Sequence, residues 1–418
     1  MIGVCCGNAT GAAALTGWAL HLGMSAKLVG LVAALPVVAQ MVQLVGAFVT
    51  ARFGHRRTAL VSVALSRQAF LPLALLPWLP LGDEGRRALL LVCAGAYHTL
   101  GFVTNNAWNA WMGEMIPARV RGRYFGRRSA LCTIAGGGFG LAVGFALDRG
   151  ERAALTGPVL QALALLACVL GALSVWLMSR QHAAPARREP VRWAVHAFRR
   201  PLADPSARRL VAYAIAWNAA CGLSAPFFGL YVLRDLGAGY TAFAACGAGY
   251  ALARIATSAA WGRAVDRIGA NRILVLCTAG LALSPAAWAL CGPDRLWPLV
   301  LETAMGGLLF GGHAVASFAM PLEVAPERER PFYIAAVAVA GGAAFALTSA
   351  LGGALAETNG PFHTPLRTLL FASALLRLCA AGAAMLLPDA RTAARAERVR
   401  VPAVAVAEVA LLEEQVAA

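Results

Sequence analysis

Apolar runs of about twenty residues alternate with short polar links along nearly the whole chain. A helix rising 1.5 Å per residue needs about twenty such residues to cross roughly 30 Å of hydrocarbon. The pattern predicts twelve membrane helices, the first six near 2–22, 27–50, 58–80, 87–112, 124–147 and 155–179. The second six fall near 209–232, 240–262, 272–292, 296–320, 332–356 and 366–388. Between them, 180–208 holds Arg187, Arg188, Arg192, Arg199 and Arg200 among Pro185, Pro190, Pro201 and Pro205, too polar and broken to cross. The expected organisation is a bundle over 1–179, a cytoplasmic linker over 180–208, a second bundle over 209–388 and a cytoplasmic tail over 389–418. This is an all-α integral membrane architecture of two six-helix bundles.

Composition supports it. The chain is 59% hydrophobic and 13% charged with mean hydropathy +0.66, whereas soluble domains are nearer a quarter charged. A net charge of +16 could suggest nucleic acid, but the basic residues sit in the links, where they set membrane orientation, so no nucleic-acid partner is expected. The five links and the tail on one side carry 25 basic residues and the opposite links carry eight. The remaining three, Arg67, Arg254 and Arg377, lie within predicted helices. The rich side is therefore read as cytoplasmic, with both termini there. Lys27 is the only lysine, a bias that fits a GC-rich bacterial genome and hence a bacterial inner membrane. The ten cysteines lie mostly in apolar runs without ligand spacing and read as small hydrophobes; no metal and no cofactor is expected.

The links also contain a repeat. Glu114-x-x-Pro117-x-Arg119-x-Arg121-x-x-Tyr124 returns as Glu323-x-x-Pro326-x-Arg328-x-Arg330-x-x-Tyr333, 209 positions later in a chain of 418. Arg52-x-Gly54-x-x-Arg57 returns as Arg267-x-Gly269-x-x-Arg272, 215 later. Two echoes in register imply two related halves. Leu22-Gly23 echoes Leu236-Gly237, 214 later, while the seventh helix begins earlier relative to this mark than the first can. The expectation is that the start lacks one or two helical turns and a cytoplasmic leader.

These residues resemble the major facilitator superfamily, whose links after helices 2 and 8 read G-x-x-x-D-R-x-G-(R/K)-(R/K). Gly262-x-x-x-Asp266-Arg267-x-Gly269 follows it, with Ala270 and Asn271 replacing the basic pair before Arg272; the first copy has Ala47 and Ala51 for the Gly and Asp. The resemblance implies the superfamily's fold, alternating access, and links that latch the bundles on the cytoplasmic side. On that reading the first Gly allows close helix packing and the second permits a tight turn. Glu114 would pair with Arg52 or Arg56, and Glu323 with Arg267 or Arg272, unless these carboxylates are merely solvated. The resemblance also implies that helices 1, 4, 7 and 10 line a central cavity, flanked by 2, 5, 8 and 11. The family's drug antiporters carry Gly-Pro in helix 5, and 124–147 has no proline, which lowers a drug-export reading.

An ionisable group in mid-membrane costs about 2.5–3.5 kcal/mol on insertion scales and marks function. His98, Asn105 and Asn109 share a face of helix 4, as do Glu302, His313 and Ser317 on helix 10. Asn8, Asn218 and Arg254, with Gln40 and Gln43 on the repeat-related helix 2, complete the cavity candidates. Each has a plain alternative as an interhelical hydrogen bond. Arg67 and Arg377 sit on helices that are peripheral in the superfamily and read as bundle braces. Glu302, the only carboxylate well inside the hydrocarbon zone, is the candidate proton carrier, with His313 as its companion.

The expected function is secondary transport of a small organic solute, proton-coupled through Glu302, with excess Arg and His favouring an anionic or polar substrate. The lipid bilayer, the solute and protons are the expected partners of a monomer. Alternatives are a transporter-like sensor or scaffold and a drug or metabolite exporter. No His-Glu-x-x-His, phosphate-binding glycine loop or nucleophile elbow is found, so no catalysis is expected.

Overall fold

The computed structural model describes residues 1–116, 118–181, 203–325, 330–357 and 365–388. Most of the linker, the 389–418 tail and Arg328 lie outside them. The described residues are almost entirely helical, their only β pairing an isolated bridge between Gly292 and Arg295.

In the first half, α1 is two pieces, Ile2–Ala9 and Ala12–His21, and α2 is Ala26–Ala39 and Gln43–Phe53 joined by a 3₁₀ turn. Then follow α3 (His55–Gln68, continued by Leu71–Ala74), α4 (Asp83–Met115), α5 (Ala118–Arg152) and α6 (Thr156–Ser179). In the second half, α7 is Pro205–Gly222, followed by short turns that end in a π-helical stretch, Tyr231–Asp235. Its continuation is α8 (Gly239–Ile268), α9 (Ala270–Leu281 with Leu283–Ala289), α10 (Trp297–Val324), α11 (Arg330–Leu355) and α12 (Leu366–Met385). Among the described residues, α4–α7 and α9–α12 are long and apolar enough to cross a bilayer by length and composition. The other crossings are the broken α1–α3, and α8 with Arg254 in its middle.

The breaks have local causes. Pro36 offers no N–H to the preceding turn, and one turn later α2 tightens into Gln40–Val42. Pro72 and Pro77 do the same to the end of α3, and Pro285 sits in the first turn of the second piece of α9. At the start of α7, Asp204 caps the helix by accepting from the Ser206 N–H at 2.9 Å, with Pro205 in the first turn.

Helix pairing repeats across the halves. In the first, α1 packs on α5 and α6, α2 and α3 on α4, and α3 on α6. In the second, α7 packs on α11 and α12, α8 and α9 on α10, and α9 on α12. Between halves, α5 meets α8 and α2 meets α11. Each pairing has its counterpart, as a pseudo-two-fold requires.

The paired glycines of the links are the sharpest local match. Gly54 has φ 86° and ψ 150°, and Gly269 has φ 97° and ψ 151°; each ends one helix and begins the next. That backbone region is essentially reserved for glycine, so conformation accounts for the repeat. Gly262 differs from expectation. A Cβ there would meet nothing within 4 Å, so close packing is not what fixes this glycine.

Candidate functional site

A cavity of about 1220 Å³ lies between the halves. The break in α1 supplies Gly7, Thr10 and Gly11, and the turn in α2 supplies Gln40. Tyr97 and His98 come from α4, Trp217 and Asn218 from α7, and Tyr250 from α8. Ser284 and Trp288 of α9, Glu302 and Phe310 of α10, and Arg377 of α12 complete the wall that matters chemically. The lining continues along α10 to Ser317 and Pro321 and along α11 to Ile334, toward the arginine-rich end.

The opposite end is pinned. The carboxylate of Asp148, on α5, accepts from the N–H groups of Tyr240 at 2.6 Å and Thr241 at 2.9 Å, and from the Thr241 hydroxyl. It therefore caps a helix of the other half, where unsatisfied N–H groups and the helix dipole favour an anion. At the counterpart contact, Ser349 of α11 donates to the Gly30 carbonyl of α2 at 2.8 Å. Gly144 against the Tyr240 and Thr241 backbone, and Gly353 against that of Ala26 and Lys27, bring the helices close.

Glu302 is buried and faces the cavity, its carboxylate accepting from Ser284 Oγ. His98 also faces the cavity; its ring packs edge-on against Tyr97 at 5.1 Å, and Nε2 has no partner. Gln40 and Asn218 line it too, Asn218 also donating to the Ala214 carbonyl at 2.9 Å.

Other candidates fall elsewhere. Asn8 donates within α1 to the Val4 carbonyl at 3.0 Å and packs against Gly136 and Gly140 of α5, so it serves helix packing. Asn105 lines a separate cleft of about 300 Å³ with Ser66, Arg67 and His98, and Asn109 is exposed. Arg254 is exposed and outside the cavity lining, one helical turn beyond Tyr250, the last residue of α8 in the wall. The Gln43 side chain lies outside what is described.

His313 is a correction of placement. It lies behind the cavity, between Trp217 (centroids 4.4 Å) and Phe310 (5.7 Å), and does not line it. Its Nε2 meets Tyr213 Oη at 2.9 Å, Tyr213 meets Thr278 Oγ1 at 2.9 Å, and Thr278 donates to the Leu274 carbonyl at 2.6 Å. The only hydroxyl hydrogen of Thr278 is spent on Leu274, so Tyr213 donates to Thr278 and accepts from His313. That assigns the proton to Nε2 and gives the histidine an interhelical bracing role. Tyr213→Phe should therefore destabilise the fold by about 1–3 kcal/mol, the cost of stranding buried polar groups. Chemical unfolding would measure this loss, while solute binding by the folded fraction should be unchanged.

Arg377 braces the bundle as expected and, beyond that expectation, lines the cavity. It is 5% exposed and lines the cavity, reaching from α12 between α7 and α9. It donates to the Leu281 carbonyl at 3.1 Å and to Ser224 Oγ at 3.4 Å, and lies 5.5 Å from the Trp217 ring centroid. The intramembrane charge was visible in the sequence; assigning helix 12 to the periphery hid it. Arg67 does act as a brace, donating to Tyr97 Oη at 3.2 Å beneath close-packed Gly3 and Gly171. The aromatic wall of Trp217, Trp288 and Phe310 had no sequence signal apart from apolar helix composition.

On the arginine-rich face, Arg56 donates to the Ser179 carbonyl at 2.7 Å and lies 6.0 Å from the Trp111 centroid. Arg52 and Arg57 are exposed. Asp266, Arg267, Arg272 and Glu323 are exposed and each has an interaction partner. The side chains of Glu114, Arg119, Arg121 and Arg330 lie outside what is described.

Two six-helix bundles around a central cavity define a multi-pass membrane protein with a transporter fold. The Major Facilitator Superfamily model matches residues 210–412, so the second half of the chain is similar to that superfamily. The nucleoside transporter NupG superposes with TM-score 0.70 at 15% identity, covering 92% of this chain and 96% of that one. The inward-open xylose transporter XylE from E. coli gives TM-score 0.67 at 12% identity, covering 93% and 95%. No curated protein matches the sequence.

Proposed function

We propose that this chain is a secondary active transporter that carries a small polar organic solute across the membrane by alternating access. The carrying observation is the cavity between two pseudo-symmetric halves, pinned at one end by the α5–α8 and α2–α11 contacts. Rocking the halves about such a cavity exposes it to each side in turn. Residues 1–179 and 209–388 form the moving bodies and 180–208 the link between them. The arginine count supports cytoplasmic termini in a bacterial inner membrane, and the protein works as a monomer. Solved structures of similar fold include a nucleoside transporter and a D-xylose-proton symporter, both named for small polar solutes.

Glu302 is the proton-coupling group in this reading. It faces the cavity, and its partner Ser284 can serve either a carboxylate or a carboxylic acid. His313, bound into its own hydrogen-bonded chain, is set aside from this role. A thermal-shift screen of anionic, neutral and cationic metabolites identifies a solute, whose uptake is then followed in proteoliposomes with and without an imposed pH gradient. Gradient-driven uptake should be lost in Glu302→Gln, while exchange without net proton movement persists. Undiminished gradient-driven uptake by that variant would remove Glu302 from coupling; binding without any flux would favour a sensor.

A further inference from the structure

The Arg377 guanidinium is almost fully buried near the middle of the Leu366–Met385 helix, where a charge is expensive. Its protein partners, Leu281 O and Ser224 Oγ, are neutral. Among the described residues, no carboxylate lies within the 4.0 Å of an ion pair with Arg377. Glu302 feels the Arg377 charge, yet its carboxylate is engaged by Ser284. Nε is buried without a partner, and Nη1 and Nη2 each keep a second N–H on a side chain that lines the cavity. A buried cation with spare donors at a cavity wall is compensated most directly by an anion that arrives with the solute.

We infer that Arg377 anchors the carboxylate of a ring-bearing monocarboxylic acid, and that this acid is the class of solute carried. The inference rests on the transport reading above. Two observations narrow the class. Glu302 shares the cavity with Arg377, so a dianion such as a phosphate monoester meets repulsion from a carboxylate with only one arginine to offset it. Trp217, Tyr250, Trp288 and Phe310 line the same wall, with Trp288 stacked on Phe228 at 4.5 Å, and flat aromatic faces suit a planar ring. The carboxylate meets the remaining Nη N–H groups where the guanidinium borders the cavity, while the ring lies among the indoles.

Isothermal titration of the purified protein with 4-hydroxybenzoate, its uncharged methyl ester and 4-hydroxybenzylamine tests this. The acid should bind at least tenfold more tightly than the ester, with the amine weakest. Arg377→Gln should remove the preference, leaving acid and ester alike. Arg377→Lys keeps the charge where the glutamine variant fails to fold; it should weaken the acid about tenfold and leave the ester unchanged, since lysine lacks the planar donor fork. A wild-type protein that binds none of the three, or binds acid and ester equally, overturns the inference, as does an Arg377 variant that keeps the preference. Proteoliposome flux separates the two readings. Uptake of a neutral solute with no response to 4-hydroxybenzoate overturns the anion anchor and leaves transport standing. Binding of the acid with no flux of any solute does the reverse.

Discussion

Gly144→Val is expected to stop transport while leaving both halves folded. A Cβ at position 144 would stand 2.7 Å from the Tyr240 carbonyl oxygen and 3.0 Å from Thr241 Cα, backbone atoms that cannot swing aside. Forcing methyl groups into such a contact costs about 1–3 kcal/mol, a shift of roughly 5- to 150-fold between two conformations. Both obstructing atoms belong to the opposite half, so separating α5 from α8 relieves the strain without unfolding either bundle. The variant should accumulate with its outer end open and lose most of its flux, with near-normal helicity and size-exclusion profile. Gly307→Val is the contrast: its obstruction, the backbone of Tyr250 and the side chain of Ala253, lies within its own half. That variant should lose stability instead. Unimpaired flux in Gly144→Val would show that the α5–α8 contact does not need to close during the cycle.

Much of the architecture was legible because membrane crossing is written in plain composition. Twenty apolar residues between arginines leave few options, and each predicted crossing falls on a helix or a broken helix, eight of them long and apolar enough to span a bilayer. The interruptions were less legible. Pro36 announces the distortion of α2, but nothing in Thr10-Gly11 alone announces that α1 breaks where the cavity touches it. The site was read in part. Gln40, His98, Asn218 and Glu302 line the cavity, and each drew notice in the sequence because a polar group in an apolar run is conspicuous. Arg254 was equally conspicuous, yet it is exposed one turn past Tyr250, where the cavity lining on α8 ends; how far a cavity extends along a helix cannot be read from the sequence. The place of Arg377 at the cavity wall was missed for a different reason. An arginine side chain is long enough to reach from an outer helix between two inner ones, so a helix's place in the bundle does not fix where its charge acts.

The repeat also hid an asymmetry. Tyr333, the last residue of the doubled phrase, is buried and donates to Asp204 at 3.1 Å, tying the start of α11 to the cap of α7. Its twin Tyr124 is exposed. Asp148 likewise has Glu357 as its counterpart 209 positions later, yet the hydrogen bond across that second contact comes from Ser349 to Gly30. The halves share a scaffold and have settled on different fastenings.

That difference makes Asp148→Asn a selective probe. The carboxylate now takes three donors from the first residues of α8, two of them backbone N–H groups that lack a partner in their own helix. The amide offers a single acceptor oxygen, carries no charge toward the helix dipole, and turns its NH₂ toward a donor. Hydrogen bonds to a charged group are worth about 1.5–3 kcal/mol each, so replacing this cap should cost at least 2 kcal/mol of the closed outer end. A shift of that size is roughly thirtyfold in population, enough to move a transporter balanced between two states largely to one. Because Ser349 still holds the other contact, the variant should open partially, and Asp148→Asn with Ser349→Ala should open further than either alone. Inter-half distances across the outer ends, read by spin labels on α5 and α8, would report the change. The expected order is wild type shortest, single variants intermediate and the double variant longest. Equal distances in all four proteins would mean that glycine-mediated packing alone closes the outer end.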